Sequence, residues 1–338
     1  MNITSTRGAA TIEEVAALAG VSRSTVSRVV NGSTAVSPAA LEAVNDAIAQ
    51  LNYVPNRAAR SLARRQTHAV AFVIPEDTDR FFGDPFFASI VAGVHERFAA
   101  SDYVLNLIIA SNDPRDKATS YLRSGSVDGV IVASHHTGDT FVDRIAADLP
   151  VVYGGRPAGL SSAPAYLVDV DNVGGGAAAA RYLAERGHRR VATITGPATM
   201  VPATDRLSGF REAAAETGLE IVAVEDGDFS EAGAAAAMRR ILDGGDVPEA
   251  LFVASDLMAR GALEVLREAG LSVPGDVAII GFDDSPVATA VTPALTTIRQ
   301  PSRAQGVAMA DALLGLLAGR PVPPATILPT ELVVRDSA

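Results

Sequence analysis

Apolar residues follow two rhythms along this chain. Over residues 11–51 they recur at spacings of three and four, which predicts short helices from Thr11 to Ala19, from Ser22 to Asn31 and from Ser37 to Leu51. The starts are marked chemically. Thr11-Ile12-Glu13-Glu14 is a capping box, Ser22 is a candidate N-cap, and Ser37-Pro38 places proline at the first helical position. Gly20 supplies the turn between the first two helices, and Val15, Leu18, Val21, Val26 and Val29 or Val30 are expected to form one buried seam.

From Ala69 the rhythm changes to continuous apolar runs: AVAFVI, YVLNLIIA, DGVIVA, PVVYG, AYLVDV, RVATIT, LEIVAV, ALFVA and VAIIGF, each followed by a helix-length segment. Strands that are apolar throughout and alternate with helices imply parallel sheets covered on both faces. So many strands exceed a comfortable single sheet. The expected fold class is therefore α/β, an all-α headpiece followed by two doubly wound parallel-sheet subdomains, with Ala58 to Thr67 as a linker of helical composition.

Length agrees, since 338 residues at roughly 100–200 per domain favour two or three domains. The absence of cysteine excludes disulfides, thiolate zinc sites, iron–sulfur clusters and cysteine nucleophiles. No apolar core follows Arg7 as in a signal peptide, and no 18-residue apolar run offers a membrane span, so a cytoplasmic protein without membrane partners is expected. The net charge of −11 argues against a nucleic-acid partner until it is divided by segment. Residues 1–66 carry seven arginines against four acids, a surplus of three positive charges that leaves −14 on the remainder. A small basic module that approaches a polyanion, and a large acidic body that stays off it, fit this division.

The second predicted helix turns Ser22, Arg23, Ser24, Thr25, Ser27 and Arg28 away from the seam. Arginine binds guanine bidentately in the major groove and hydroxyls bind phosphate, so this face suits DNA; the competing reading is an ordinary solvated helix. The continuation through Thr25-Val26-Ser27-Arg28-Val29-Val30-Asn31, Leu51-Asn52-Tyr53-Val54-Pro55-Asn56 and Arg60-Ser61-Leu62-Ala63 resembles the DNA-binding headpiece of the LacI/GalR family over some sixty residues. That resemblance implies that Arg23 and Ser24 discriminate operators and that Arg28 reads a further base. It implies that Thr11, Ser22, Thr25, Ser27, Asn31, Ser37 and Asn56 contact phosphates, with Arg57 also at the DNA. Tyr53 is expected in the headpiece core with its hydroxyl toward a phosphate. The linker would become a hinge helix on operator DNA, with Leu62 as the minor-groove wedge beside Ala63; packing of Leu62 on the headpiece is the alternative. Arg60, Arg64 and Arg65 would lie near the backbone and add salt dependence.

The body resembles the periplasmic sugar-binding-protein fold (type I) of the same family. This implies a headpiece at 1–55, a hinge at 56–67 and a core at 68–338. The core would divide into one subdomain of about 68–166 and 302–325 and another of about 167–300 and 327–338, with crossings near Ala165–Asp169, Arg299–Ser302 and Pro323–Leu328. The final run, TELVVRD, would return to the second subdomain. Ligands in such sheets lie beyond the carboxyl ends of strands, where Ser255, Asp256, Asp283 and Asp284 stand. By resemblance, Arg206 and Asp283 bind an effector, Ser255 replaces a common asparagine, Phe229 stacks, and Asp84, Phe86 and Phe87 contribute from the first subdomain. Core packing is the alternative for the phenylalanines, and helix capping for Asp256 and Asp284. The charged segment Pro75 to Pro85 is expected as a loop at the cleft mouth.

Two motifs point elsewhere. Gly174, Gly176 and Ala179 satisfy the dinucleotide pattern G-x-G-x-x-A, but no acid ends the next strand, so close helix packing is the better reading. Ser134-His135-His136 follows a strand end, where one histidine could hydrogen-bond a ligand, but it lacks partners at metal-ligand spacing, so no metal is expected and a solvated loop is the better reading. The reading as a whole is a non-enzymatic transcriptional repressor without cofactors, a homodimer on a pseudo-palindromic operator that responds to a mono- or oligosaccharide. Purine co-repression is the alternative, with an NAD-dependent enzyme a remote one.

Overall fold

In the computed structural model, which describes residues 10–31, 35–54, 66–111, 115–138, 141–157, 166–245 and 247–338, the chain divides between His68 and Ala69 into two units. The first holds helices α1 (Ile12–Ala19), α2 (Arg23–Val30) and α3 (Pro38–Leu51). Thr11 and Glu14 form the capping box reciprocally, and the side chains of Ser22 and Ser37 cap α2 and α3. Gly20 ends α1 at φ +66°, a left-handed conformation open to glycine at little cost. Val15, Ala16, Val26, Val44 and Ala47 are buried, with Tyr53 packed against them. Leu18, expected in this seam, is 50% exposed. At 3.6 residues per turn Ile12, Val15, Ala16 and Ala19 share one face of α1, and Leu18 falls outside it.

The second unit begins with β1 (Ala69–Ile74), α4 (Thr78–Gly83), α5 (Pro85–Ala99), β2 (Val104–Ile109) and α6 (Lys117–Tyr121). It continues through β3 (Gly129–Ala133), α7 (Phe141–Ala146), β4 (Val151–Gly154) and β5 (Tyr166–Val170). Next come α8 (Asn172–Glu185), β6 (Arg190–Thr195), α9 (Val201–Thr217), β7 (Glu220–Asp226), α10 (Glu231–Asp243) and β8 (Ala250–Val253). The remaining elements are α11 (Asp256–Glu268), β9 (Ala278–Asp283), α12 (Pro286–Ala290), β10 (Thr296–Arg299), α13 (Ser302–Leu317), β11 (Ala325–Leu328) and β12 (Glu331–Val333).

Two six-stranded sheets result, in the orders β11-β5-β4-β3-β1-β2 and β12-β10-β9-β8-β6-β7. All the strand pairs are parallel except β10 with β12. The central strands β3, β8 and β9 are buried at every residue because helices cover both faces, as their uninterrupted apolar runs require.

The chain changes sheet after Val170, after Arg299 and after Leu328. The expected exchanges at 166/167 and 325/327 therefore fall a few residues later. Tyr166 pairs with Val152 and Leu328 with Val170 in the first sheet, so each strand completes its ladder before the chain leaves. The expected loop between Pro75 and Pro85 contains helix α4, which Asp77 caps by accepting from the Arg80 N–H at 2.8 Å.

Helices α8 and α9 touch backbone to backbone. A Cβ on Gly176 would lie 2.1 Å from the carbonyl oxygen of Arg206, and one on Gly209 1.9 Å from that of Val173. Gly176 of the dinucleotide-like pattern thus serves the packing that sets the position of Arg206, whereas a Cβ on Gly174 would meet the side chain of Asp171, the cap of α8.

Candidate functional site

Residues that follow the carboxyl ends of strands in both sheets line one cleft that is partly open to solvent. A parallel sheet presents these ends together, and helix N-termini bring further polar groups to the same edge. The first subdomain contributes Arg80, Asp84, Phe86, Phe87 and Asp169; the second contributes Asn172, Arg206, Phe229, Ser255 and Asp283; Gln300 comes from the crossing between them and Gln305 from α13.

Arg206 is buried on α9 and is fixed from three sides. Its Nε donates to Asn172 Oδ1 at 2.9 Å, its Nη1 to the Ala254 carbonyl at 2.6 Å, and its Nη2 to Gln300 Oε1 at 3.4 Å. The guanidinium carbon lies 3.6 Å from the centroid of the Phe282 ring, a cation–π contact, and Nη1 is 3.9 Å from Asp283 Oδ1. Burial works against the charge of Arg206, and Asp283 is the first of the carboxylates that restore it.

Asp283 ends β9 with φ +116°, outside the ordinary range for a side chain with a Cβ. This turn sends consecutive carboxylates in different directions. Asp283 lines the cleft and accepts from Gln300 Nε2 at 2.5 Å, whereas Asp284 pairs with Arg299 at 2.7 Å and with Arg335. Burial pushes the Asp283 carboxyl well above the ordinary range, with Arg206 as the chief opposing influence. Asp84 is also raised by burial, against the Phe86 N–H that its Oδ1 accepts at 2.9 Å. Asp169, raised by burial too, accepts from Val170 N at 2.8 Å and from Asn172 Nδ2 at 3.1 Å.

The structure therefore gathers Asp84, Phe86, Phe87, Arg206, Phe229, Ser255 and Asp283 around one space. Asp256 does not belong there. It is fully buried and accepts from Thr297 Oγ1 at 2.6 Å and Ser285 N at 2.8 Å, fastening α11 to the turn after β9 and to β10. Ser255 lines the cleft, but its hydroxyl already accepts from Met258 N at 3.1 Å as the cap of α11. The expected solvated loop at Ser134-His135-His136 is ordered instead: Ser134 donates to Glu76 Oε1 at 2.6 Å, and the His136 ring lies 3.1 Å from Glu76 and 3.0 Å from Thr199. His135 is buried beside Tyr153, with ring centroids 5.9 Å apart, and Ser134 and His135 both line the cleft.

Arg80, Asp169, Asn172, Gln300 and Gln305 were not anticipated. Asp169 and Asn172 stand in the strand-to-helix turn VDVDN and Gln300 at a crossing, positions that the strand-end rule covers; Gln305 lies inside a helix and has no such signal. Among the described residues no cluster of three metal-ligating side chains occurs, and no helix is long and apolar enough to cross a membrane.

In the first unit α2 carries Arg23, Ser24 and Arg28 on its exposed face, with Thr25 and Ser27 half-buried. Thr11, Ser22 and Ser37 stand exposed at the starts of the three helices. Arg23 Nε lies 3.1 Å from Glu13 Oε1 at the surface, and Asn31 Nδ2 donates to Ser27 Oγ at 3.3 Å. Asn56, Arg57, Leu62 and Ala63 lie outside the described residues.

A capped helical unit with an arginine-and-hydroxyl face, joined to a two-sheet core with a strand-end cleft, is the architecture of a regulator of transcription. Residues 11–56 match the family described as bacterial regulatory proteins, lacI family, and residues 180–338 match the periplasmic binding protein-like domain. The chain is 46% identical to the HTH-type transcriptional regulator CelR of Thermobifida fusca, over 97% of this chain and 98% of that protein. It is 36% identical to the ribose operon repressor of Escherichia coli K12, over 90% of this chain and 92% of that one. Among solved structures, a CelR–cellobiose complex superposes with a TM-score of 0.77 at 43% identity, covering 97% of this chain and 100% of that chain. The lac repressor dimer bound to operator and the anti-inducer ONPF superposes with a TM-score of 0.86 at 28% identity, covering 98% and 99%. This chain belongs to the LacI family and is a DNA-binding transcriptional regulator.

Proposed function

We propose that this regulator is a cytoplasmic, homodimeric, non-enzymatic repressor that binds a pseudo-palindromic operator and leaves it when a saccharide enters the cleft. The observation that carries the effector reading is the set of unused acceptors there. Among the described residues, Asp84 Oδ2 and Asp283 Oδ2 accept no hydrogen bond, and the buried Gln305 Oε1 has no partner. A buried acceptor without a donor is costly, and a polyol supplies O–H donors in several directions at once. Phe229 and Phe86 offer aromatic faces to the C–H surface of such a ring. The relative crystallised with cellobiose supports the same class of ligand.

In this reading Arg23, Ser24 and Arg28 meet base edges, while Thr11, Ser22, Thr25, Ser27, Asn31 and Ser37 hold phosphates. Asn56 and Arg57 extend these contacts, and Leu62 beside Ala63 wedges the minor groove. The effector acts by population shift: it favours a core state that disfavours paired headpieces on DNA.

A thermal-shift screen of the full chain against mono- and disaccharides, guanine, hypoxanthine and NAD tests the effector class. A ligand present at 100 times its dissociation constant should add about 2.7 kcal/mol. A saccharide shift that disappears in Asp283→Ala and Arg206→Ala is expected; a shift with a purine alone would reassign the cleft to a co-repressor.

A further inference from the structure

The cleft holds a second cation whose role differs from that of Arg206. Arg80 is carried by α4, a turn whose other side chains face elsewhere: Phe81 is buried in the core of the first subdomain against Phe87, and Phe82 is 77% exposed. Arg80 itself lines the cleft and is only 15% exposed. Its Nε lies 3.5 Å from Glu76 Oε2, its Nη1 3.8 Å from Asp228 Oδ1 on the opposite subdomain, and its Nη2 3.6 Å from the Met200 sulfur. Among the described residues none of these contacts is a hydrogen bond to oxygen. Arg206, by contrast, has three of its N–H groups engaged by protein oxygens.

Both guanidinium carbons lie 5.8 Å from the centroid of the Phe229 ring. A ligand held by Asp283 near Arg206 and extended to Arg80 would therefore run along that ring. A guanidinium that lines the cleft, with none of its N–H groups engaged by a protein oxygen among the described residues, is suited to oxygen acceptors brought by a ligand.

We infer that Arg80 selects a disaccharide over a monosaccharide, donating from its Nη groups to oxygens of an outer sugar ring while the inner ring is held by Asp283 and Gln305. This rests on the saccharide reading of the cleft. The contact with Asp228 is a separate effect that helps to close the mouth whatever the ligand.

The test is calorimetric titration of the full-length protein, Arg80→Ala and Asp228→Asn with cellobiose, maltose and glucose. Asparagine tolerates the positive φ of residue 228, so that variant removes the cross-cleft ion pair without new backbone strain. The wild type should bind one disaccharide at least tenfold more tightly than glucose. In Arg80→Ala that disaccharide should lose about tenfold to a hundredfold, the range for a charge-assisted hydrogen bond, with glucose unchanged. Asp228→Asn should keep the wild-type ratio. Equal losses for both sugars in Arg80→Ala would overturn the selection and leave Arg80 as a closing contact only. Equal wild-type affinities would overturn it while keeping the saccharide reading. If none of the three sugars binds, the saccharide reading falls and takes this inference with it.

Discussion

Single side chains divide the work of this protein between reading and sensing. Arg28 is exposed on α2, and among the described residues no acidic side chain pairs with it, which leaves its guanidinium available to a base edge. Arg28→Ala should weaken operator binding by about 1–3 kcal/mol and relax preference at one base pair, whereas Ser27→Ala should weaken all sequences alike. Binding measured on operators substituted at each position distinguishes the two, and a uniform loss for Arg28→Ala would remove it from base readout. Asp256 makes a different prediction. Burial, assisted by the neighbouring Asp284, pushes its carboxyl up to about 7 from an ordinary value of 3.8. The folded state thus holds this proton more tightly than the unfolded chain, so its contribution favours folding below pH 4 and is lost as pH rises to 7. Asp256→Asn should gain thermal stability relative to the wild type across that interval, and a gap that does not change with pH would contradict the assignment. At this scale strand ends revealed Asp283 and Ser255. Asp256, one residue on, stands outside the cleft lining and takes the structural alternative, because one step along a helix turns a side chain by about 100°. The strand-end rule covers the positions of Asn172 and Gln300 but not their role, which is to hold Arg206, 34 and 94 residues away in the chain.

At the scale of elements, the position of Arg206 depends on how closely α8 approaches α9. Gly209→Ala would place a methyl group 1.9 Å from the Val173 carbonyl oxygen, and neither backbone can yield without moving its helix. The variant should lose at least 1–3 kcal/mol of stability, the usual cost of overpacking, and its effector affinity should fall although residue 209 does not line the cleft. Urea unfolding and sugar titration on the same preparation check both parts; an unaltered affinity would show that Arg206 does not depend on this contact. The nine apolar runs were readable as strands, most plainly β3, β8 and β9, whose burial on both faces demands an uninterrupted run, whereas β2 and β7 lie at sheet edges and are partly exposed. The strands β10, β11 and β12 carry three or four residues each, with threonine and glutamate among them, and β11 and β12 lie at sheet edges, so their apolar signal was weak. Helix α4 was hidden in a charged segment, and only its cap, Asp77, marks its start.

For the whole molecule, charge and topology assign the two units different partners. The surplus of three positive charges in residues 1–66, against −14 elsewhere, predicts that operator affinity falls steeply with salt while affinity for an uncharged sugar does not. Comparable salt slopes for both ligands would contradict that division. The central claim is that the cleft and the headpiece are coupled. The most direct measurement is fluorescence anisotropy of a labelled pseudo-palindromic operator, selected from random duplexes, titrated with the full-length protein at increasing concentrations of the disaccharide it binds. Operator affinity should fall to a plateau, and saturating operator should lower disaccharide affinity by the same factor, as linkage requires. A disaccharide that binds in the cleft yet leaves operator affinity unchanged would contradict the account.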